Sequence, residues 1–428
     1  MSSSKNSQFK RTTFKNGLRL LTIPQKSTRT ATILVLVGTG SKNETKEISG
    51  ISHFLEHMFF KGTKKRPTPL AIVEPLDTIG GMYNAFTGEE YTGYFAKVDI
   101  DHFNLALEWV VDIYLNSLLP SKEIQKEKGV VIEELNMHRD SPMSRVGVLW
   151  SKLLYGDQPA GWDIVGTKET VLGLKREDLI TYIKSQYVAS NTLVCVAGNV
   201  SPSDVERKVR KLFSSIHEGN FQKSEEVVER QTMPEVLLEY RKTDQTHIAL
   251  GSRGYSLAHP KRYVQLLLDK ILGGMSSSRI WVEVREKLGL AYYVSTVSHQ
   301  DTDTGYLMTR AGIKNDGVER AIQTILREYK KISQKQISQK ELQRAKDNMK
   351  GELALELEAS DAKAFFYSLQ ELLQHRVLTI DEVYDKIDKV KVQDIQKVSK
   401  DIFQPEKLNL VVLGPFRDKA KFQKLLKL

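Results

Sequence analysis

Four apolar, strand-like runs divide the chain into two halves of similar design. The first half opens with an apolar run at residues 32–37 and closes with one at 192–199, and the second opens at 247–251 and closes at 408–415. The two intervals are of nearly equal length, and stretches with helical spacing lie between the strands. The pattern therefore predicts a duplicated α+β unit within one chain.

The segment between the halves is polar. Residues 219–234 carry many charged side chains and few apolar ones, which is typical of a linker. We therefore predict an N-terminal half over residues 1–218, a linker over 219–234 and a C-terminal half over 235–428.

An H-x-x-E-H sequence in the first half, formed by His53, Glu56 and His57, lies in an apolar pattern of helical period. Two imidazoles four residues apart share one face of a helix, with the carboxylate beside the second. That arrangement suits a catalytic zinc ion, which takes neutral nitrogen ligands and a nearby Glu to handle a proton. Lys61 and Gly62 are typical of a helix end, with a cation in the last turn and a glycine after it. Two surface histidines spaced this way by chance are the alternative, since the chain has nine histidines.

A third ligand is expected, because a catalytic zinc site usually has three protein ligands. Residues 121–140 have the apolar spacing of a second helix, in which Glu127 and Glu134 lie seven residues apart and so share a face. Glu133 competes for the ligand role but lies about 100° around the helix from Glu134. Acidic residues on the apolar side of a helix are unusual unless a cation lies there, although Glu127 and Glu133 also fit as solvated charges.

The motif order is the inverse of H-E-x-x-H, and the chain resembles the pitrilysin and insulin-degrading enzyme family of M16-type zinc peptidases. Seventy-six residues separate His57 from Glu134, which matches the family's gap between its motif and its ligand Glu. The resemblance implies that His53, His57 and Glu134 bind one zinc ion per chain and that Glu56 is the general base. Glu127 matches the family's second acidic residue, which would steady a ligand or help to transfer protons.

Residues 80–87, a glycine pair followed by a short half-apolar segment, resemble the edge strand that follows the zinc helix in this family. In the family this strand binds the substrate backbone as an added β-strand, which implies Asn84, Ala85 and Phe86 as substrate-binding residues. An ordinary turn and strand is the alternative.

Residues 273–279 and 284–292 resemble the signature of the family's second half. There an Arg and a Tyr seven residues apart contact the substrate bound at the zinc ion, and Arg285 and Tyr292 have that spacing. Without the resemblance, they would be interpreted as a helix-end charge and a core tyrosine.

Composition narrows the classes of function. Of the 428 residues, 40% are hydrophobic and 27% charged. The sequence contains no run of eighteen apolar residues, the length that would predict a membrane span. The net charge is +10. The sequence has no arginine-rich tract and no basic segment interleaved with aromatic residues, so we expect no nucleic-acid partner. The N-terminus lacks an apolar signal core, and the single cysteine, Cys195, cannot form an internal disulfide. We therefore expect a reducing, cytoplasmic location.

The zinc motif and the resemblance together imply a zinc-dependent endopeptidase or oligopeptidase that hydrolyses peptides bound as an added β-strand in an enclosed chamber. The resemblance implies two α/β-sandwich halves, each a sheet flanked by helices, which together make half of a clam-shell chamber. A homodimer, or a heterodimer with an inactive paralogue, would complete it. The alternative is a non-catalytic or partner subunit of a heterodimeric processing peptidase. Such subunits typically lose ligands or the base, whereas all five polar residues of the predicted site are present here.

Overall fold

The protein, described over residues 8–428 in a computed structural model, forms two compact units. The first contains the described residues up to Leu135, Asp163–Glu225 and Ala354–Thr379, and the second contains Asn136–Trp162, Glu226–Leu353 and Ile380–Leu428. The expectation that the N-terminus lacks an apolar signal core concerns residues that lie partly outside this described range.

The first unit is a six-stranded sheet with helices on both faces. Its strands are β1 (Lys10–Thr13), β2 (Arg19–Pro24), β3 (Thr30–Val37), β4 (Met82–Thr87), β5 (Thr92–Asp99) and β6 (Thr192–Gly198). The helices that lie wholly or mostly in it are α1 (Ile51–Met58), α2 (Pro69–Asp77), α3 (Phe103–Asn116), α4 (Ser121–Asp140), α6 (Lys168–Gly173), α7 (Arg176–Gln186), α8 (Pro202–Leu212) and α12 (Ser360–Gln374).

The strand order of this sheet is β1-β2-β6-β3-β5-β4, so β4 lies at an edge. Strands β2 and β6 are parallel and the other pairs are antiparallel. Both central strands are buried along almost their whole length because helices cover both faces, which explains their continuous apolar runs. One face packs against α1 and α3 in the main core. The other face packs against α12.

The second unit repeats this design. Its strands are β7 (Glu235–Tyr240), β8 (Gln245–Arg253), β9 (Ala291–Gln300), β10 (Gly305–Lys314) and β11 (Leu408–Gly414). The helices that lie wholly or mostly in it are α5 (Pro142–Tyr155), α9 (Arg262–Leu272), a π-helical segment (Trp281–Lys287), α10 (Val318–Gln334), α11 (Gln339–Glu356), α13 (Ile380–Asp388), α14 (Val392–Ile402) and α15 (Lys419–Gln423).

The order β7-β11-β8-β10-β9 matches β2-β6-β3-β5-β4 strand for strand. In both sheets the first two strands of that order are parallel and the rest are antiparallel. The predicted duplication of an α+β unit is confirmed.

Each sheet is covered on one face by a helix from the other half of the sequence. In the first unit, the Ser360 hydroxyl at the start of α12 lies 2.9 Å from the hydroxyls of both Thr30 and Thr32 on β3. In the second unit, α5 packs its apolar side on β8 and β11, and Arg145 forms a 2.7 Å ion pair with Glu239 on β7. Each unit is therefore discontinuous in sequence.

Within the described range, no helix combines the length and the apolar character needed to cross a bilayer. Cys195 lies on β6 and is fully buried, and burial raises the pKa of its thiol. This residue is a core side chain.

Candidate metal centre

The N-terminus of helix α1 is fixed by a glycine and a buried carboxylate. Gly50, the N-cap residue, has a φ of 93°, in the left-handed region that favours glycine. Glu44 accepts the backbone N–H of Gly50 at 2.7 Å and that of Ser52 at 2.9 Å, so two donors that the helix leaves unpaired are bonded. Burial raises the pKa of Glu44 to about 8, although these backbone bonds act in the opposite direction. The apolar face of α1 packs into the core.

Two histidines on α1 and one carboxylate on α4 converge. The imidazole rings of His53 and His57 lie with their centroids 4.6 Å apart. The Nε2 atoms of the two rings lie 3.6 Å and 3.4 Å from Oε2 of Glu134. One ligand atom from each of the three residues lies within 4.8 Å of the other two. The structure thus brings together the three residues predicted as ligands.

The spacing of these atoms fits a zinc ion. Two ligand atoms of a tetrahedral zinc site, with bonds of about 2.0 Å, lie about 3.3 Å apart. The His–Glu134 separations of 3.4 and 3.6 Å are close to that value, whereas a good hydrogen bond would be shorter. Two imidazole nitrogens and one carboxylate oxygen are also a donor set that catalytic zinc uses. The residues present therefore fit the metal.

The competing carboxylate, Glu133, is exposed on another side of α4, while Glu134 is half-buried. Glu134, and not Glu133, belongs to the cluster with the two histidines. The helical spacing that paired Glu127 with Glu134 accounts for this, since both project from one face of α4.

Glu127 connects His57 to a lysine. Its Oε1 lies 2.9 Å from Nδ1 of His57, and its Oε2 lies 2.7 Å from Nζ of Lys61. The carboxylate is only 3% exposed. Burial raises the pKa of Glu127, but the hydrogen bonds from His57 and Lys61 lower it by more, so it lies below its ordinary value. In His57, burial lowers the pKa, but the bond to Glu127 and the nearby carboxylates raise it above the usual value.

The two histidines differ in how their second nitrogen is held. Nδ1 of His57 is bonded to Glu127, which leaves Nε2 directed to Glu134. Nδ1 of His53 is buried, and among the described residues it has no hydrogen-bond partner. Since a hydrogen bond on the second nitrogen fixes the tautomer and the orientation of a ligand imidazole, Glu127 orients His57, whereas no bond of this kind orients His53 among the described residues.

Glu56, the predicted base, is bonded to the edge strand. Its Oε2 accepts a 2.6 Å hydrogen bond from the Thr87 hydroxyl at the end of β4. On the same strand, Oδ1 of the exposed Asn84 accepts the backbone N–H of Ala85 at 2.9 Å. The ring of Phe86 packs 5.1 Å from that of Phe365 on α12. Of the three predicted substrate residues, therefore, only Asn84 has an exposed side chain.

Comparison with known proteins assigns the family. The model of the family described as "Insulinase (Peptidase family M16)" matches residues 19–168, and that described as "Peptidase M16 inactive domain" matches residues 173–349. A Bacillus subtilis protein described as "Uncharacterized zinc protease YmxG" is 36% identical over 95% of this chain and 98% of its own length. The chain belongs to peptidase family M16. A Streptomyces coelicolor relative, also named a zinc protease, is 32% identical over 96% of this M16 chain and 90% of its own.

Solved structures agree with the M16 assignment. A protease from Helicobacter pylori superimposes with a TM-score of 0.88 at 25% identity, covering 95% of this chain and 99% of that one. A peptidase M16 inactive domain from Pseudomonas fluorescens superimposes equally well, with a TM-score of 0.88 over 96% of this chain and 98% of its own. At 17% identity, that second likeness shows the fold alone.

The remaining predicted site residues of this M16 protein lie in the second unit. Arg285, in the π-helical segment, places its guanidinium 4.3 Å from the centroid of the Trp281 ring. Tyr292, near the start of β9, is 78% exposed. A tyrosine so exposed is not a core residue, and its ring is available for contact with a ligand.

Sequence reasoning missed two contacts of the M16 site. Lys61 was interpreted only as a helix-end cation, although its spacing of four residues from His57 placed it on the same side of the chain. The hydroxyl bond from Thr87 to Glu56 had no signal in the sequence, because it joins a strand to a helix thirty-one residues away.

Proposed function

We propose that this protein is a zinc-dependent endopeptidase or oligopeptidase that cuts peptides bound along strand β4. The observation that carries the proposal is the convergence of His53, His57 and Glu134 at zinc-ligand spacing. The M16 fold and the relatives named zinc proteases support the same reaction class.

The residues of the site divide the chemistry among them. A zinc ion held by the three ligands would supply Lewis acidity toward the scissile carbonyl and the attacking water. Glu56 accepts the proton of that water and then donates it to the leaving amine. Thr87 holds the Glu56 carboxylate in place by its hydroxyl. Glu127 holds the ring of His57 with Nε2 directed at the metal position.

Strand β4 supports binding of an extended substrate. Within residues 8–428 it pairs with β5 on one side only, and the free edge of a sheet offers main-chain groups to which a peptide can add as a further strand. The bond between Asn84 and the N–H of Ala85 occupies one donor of this strand. A bound peptide that uses this donor has to displace the Asn84 side chain.

The hydrogen bond from Thr87 to Glu56 gives one prediction. Thr87→Val removes the hydroxyl but keeps the shape of the side chain, and kcat is expected to fall about tenfold with KM and zinc content unchanged. A hydrogen bond to a charged group contributes about 1.5 kcal/mol or more, and about 1.4 kcal/mol corresponds to a factor of ten in rate. Steady-state kinetics on a quenched peptide, with zinc measured per chain, tests this. Thr87→Ser is the matched control, since it keeps the donor. Equal losses in the two variants would contradict a role for the hydroxyl.

The substrate class and the assembly are tested together. We expect the purified chain to form a homodimer in light scattering and to cut an unbiased peptide mixture without a partner, with the cut sites determined by mass spectrometry. Flexible peptides should be cut and stably folded proteins resisted, because only an extended segment can add to a sheet edge.

Metal removal supplies the control for that experiment. A chelator should abolish cleavage, and one equivalent of zinc per chain should restore it. A monomer inert toward every peptide but active with a second protein would favour the heterodimeric processing peptidase. A zinc-loaded homodimer with no activity at all would favour a non-catalytic subunit.

A further inference from the structure

Lys61 contacts the metal site rather than only ending a helix. It lies three residues after α1, and its backbone N–H donates to the carbonyl of Met58 at 3.1 Å, which continues the helical turn. Its side chain reaches Oε2 of Glu127 at 2.7 Å, while the other oxygen of the same carboxylate lies 2.9 Å from Nδ1 of His57. One carboxylate therefore bridges the lysine and a predicted zinc ligand.

Because Glu127 is buried, its negative charge needs a nearby cation, and Lys61 provides one. A carboxylate that is 3% exposed is stable inside a protein only when its charge is compensated by close, well-aligned partners. Of the two partners that the described part of the chain gives Glu127, His57 is neutral when it binds a metal. Lys61 is then the partner that carries a full positive charge beside the buried carboxylate.

We propose that Lys61 is a positioning residue for zinc binding that acts through Glu127. The lysine fixes Glu127, Glu127 holds Nδ1 of His57, and Nε2 of His57 is thereby directed to the metal position. This inference rests on the proposed zinc site and deepens it, because it names a cation outside the ligand set on which metal affinity depends.

An ordinary helix-end role would act differently. A lysine near the C-terminus of a helix is stabilised by the helix dipole whatever it contacts. In that case its removal would alter the stability of α1, and the effect on zinc would be independent of Glu127. The proposed role instead requires that the two residues act as one unit.

A double-mutant cycle on zinc affinity separates these roles. Zinc dissociation constants would be measured by chelator competition for wild type, Lys61→Met, Glu127→Gln and the double variant. We expect Lys61→Met to weaken zinc binding by about tenfold or more, the range found when partners of ligand side chains are removed. The double variant should bind zinc no more weakly than Glu127→Gln alone, because a neutral amide needs no cation.

Two further variants sharpen the test. Lys61→Arg keeps the charge and should keep most of the affinity. Lys65→Met makes the same charge change four residues away, where the lysine pairs with Glu108 at the surface, and should bind zinc like wild type. Thermal unfolding with and without zinc reports folding separately, and the stabilisation by zinc should be smaller in Lys61→Met.

The proposal is overturned if Lys61→Met binds zinc as tightly as wild type, or if the effects of the two single variants multiply in the double variant. If the wild-type protein itself binds no zinc, the proposed function fails instead. The two failures are therefore distinguishable.

Discussion

Glu56→Gln should retain zinc and lose peptide cleavage, with kcat about 10³-fold below wild type, within the range that general acid–base catalysis contributes. The three ligand residues are untouched by this change. The carboxamide oxygen can still accept the hydroxyl of Thr87, so the local structure of α1 and β4 should persist. What is lost is the group that accepts the proton of the attacking water.

Three measurements decide the outcome for Glu56. Zinc per chain should equal that of wild type, thermal unfolding should be unchanged, and turnover of a quenched peptide should be lost. Glu74→Gln is the matched control, since it removes the same charge from an exposed position on α2 and should cleave normally. A zinc-loaded Glu56→Gln protein that cleaves at the wild-type rate would show that another group is the base.

The elements around the site were predictable because their signals are local. The apolar spacing around the H-x-x-E-H sequence predicted a helix, and α1 spans Ile51–Met58. On α4, the spacing of seven residues placed Glu127 and Glu134 on one side, and both contact His57. Repeated apolar runs predicted the duplication, since a fully buried strand needs apolar residues on both faces.

The packing of the helices was not predictable in the same way. An amphipathic pattern shows which side of a helix is buried, but it does not show which sheet covers that side. Helix α12 follows the second unit's β10 and α11 in sequence, yet it packs on β3 and β6 of the first unit. Likewise, α5 precedes β6 in sequence and packs on β8 and β11 of the second unit.

Side-chain contacts between different helices and strands were the second feature that could not be predicted from the sequence. Lys61 satisfies the pattern of a helix end as well as the role of a partner to Glu127, so the sequence alone does not separate the two. The two roles are separated only by the structure, in which Nζ of Lys61 lies 2.7 Å from the buried carboxylate of Glu127. Contacts of this kind depend on tertiary structure, and they determine the orientation of the ligands.

Variants of Glu127, Glu133 and Glu134 on α4 should differ in whether they lose zinc, activity or neither. Glu134→Gln should lose most of its bound zinc, because it removes one of three ligands and its charge. Glu133→Gln should keep zinc and activity, since Glu133 is exposed and lies outside the cluster with the histidines. Glu127→Gln should weaken zinc affinity by about 10- to 100-fold, the range for partners of ligands. It should lose activity even when excess zinc keeps the site filled, because the ring of His57 is no longer held by a charged acceptor.

Zinc per chain after dialysis, together with activity at saturating zinc, distinguishes these outcomes. Glu133→Gln serves as the matched control within the same helix, since it makes the same chemical change one residue away. Equal zinc loss in Glu133→Gln and Glu134→Gln would mean that the face of α4 toward the histidines is not the one that carries Glu134. Full activity of zinc-saturated Glu127→Gln would remove Glu127 from the chemistry and leave it only a role in metal affinity.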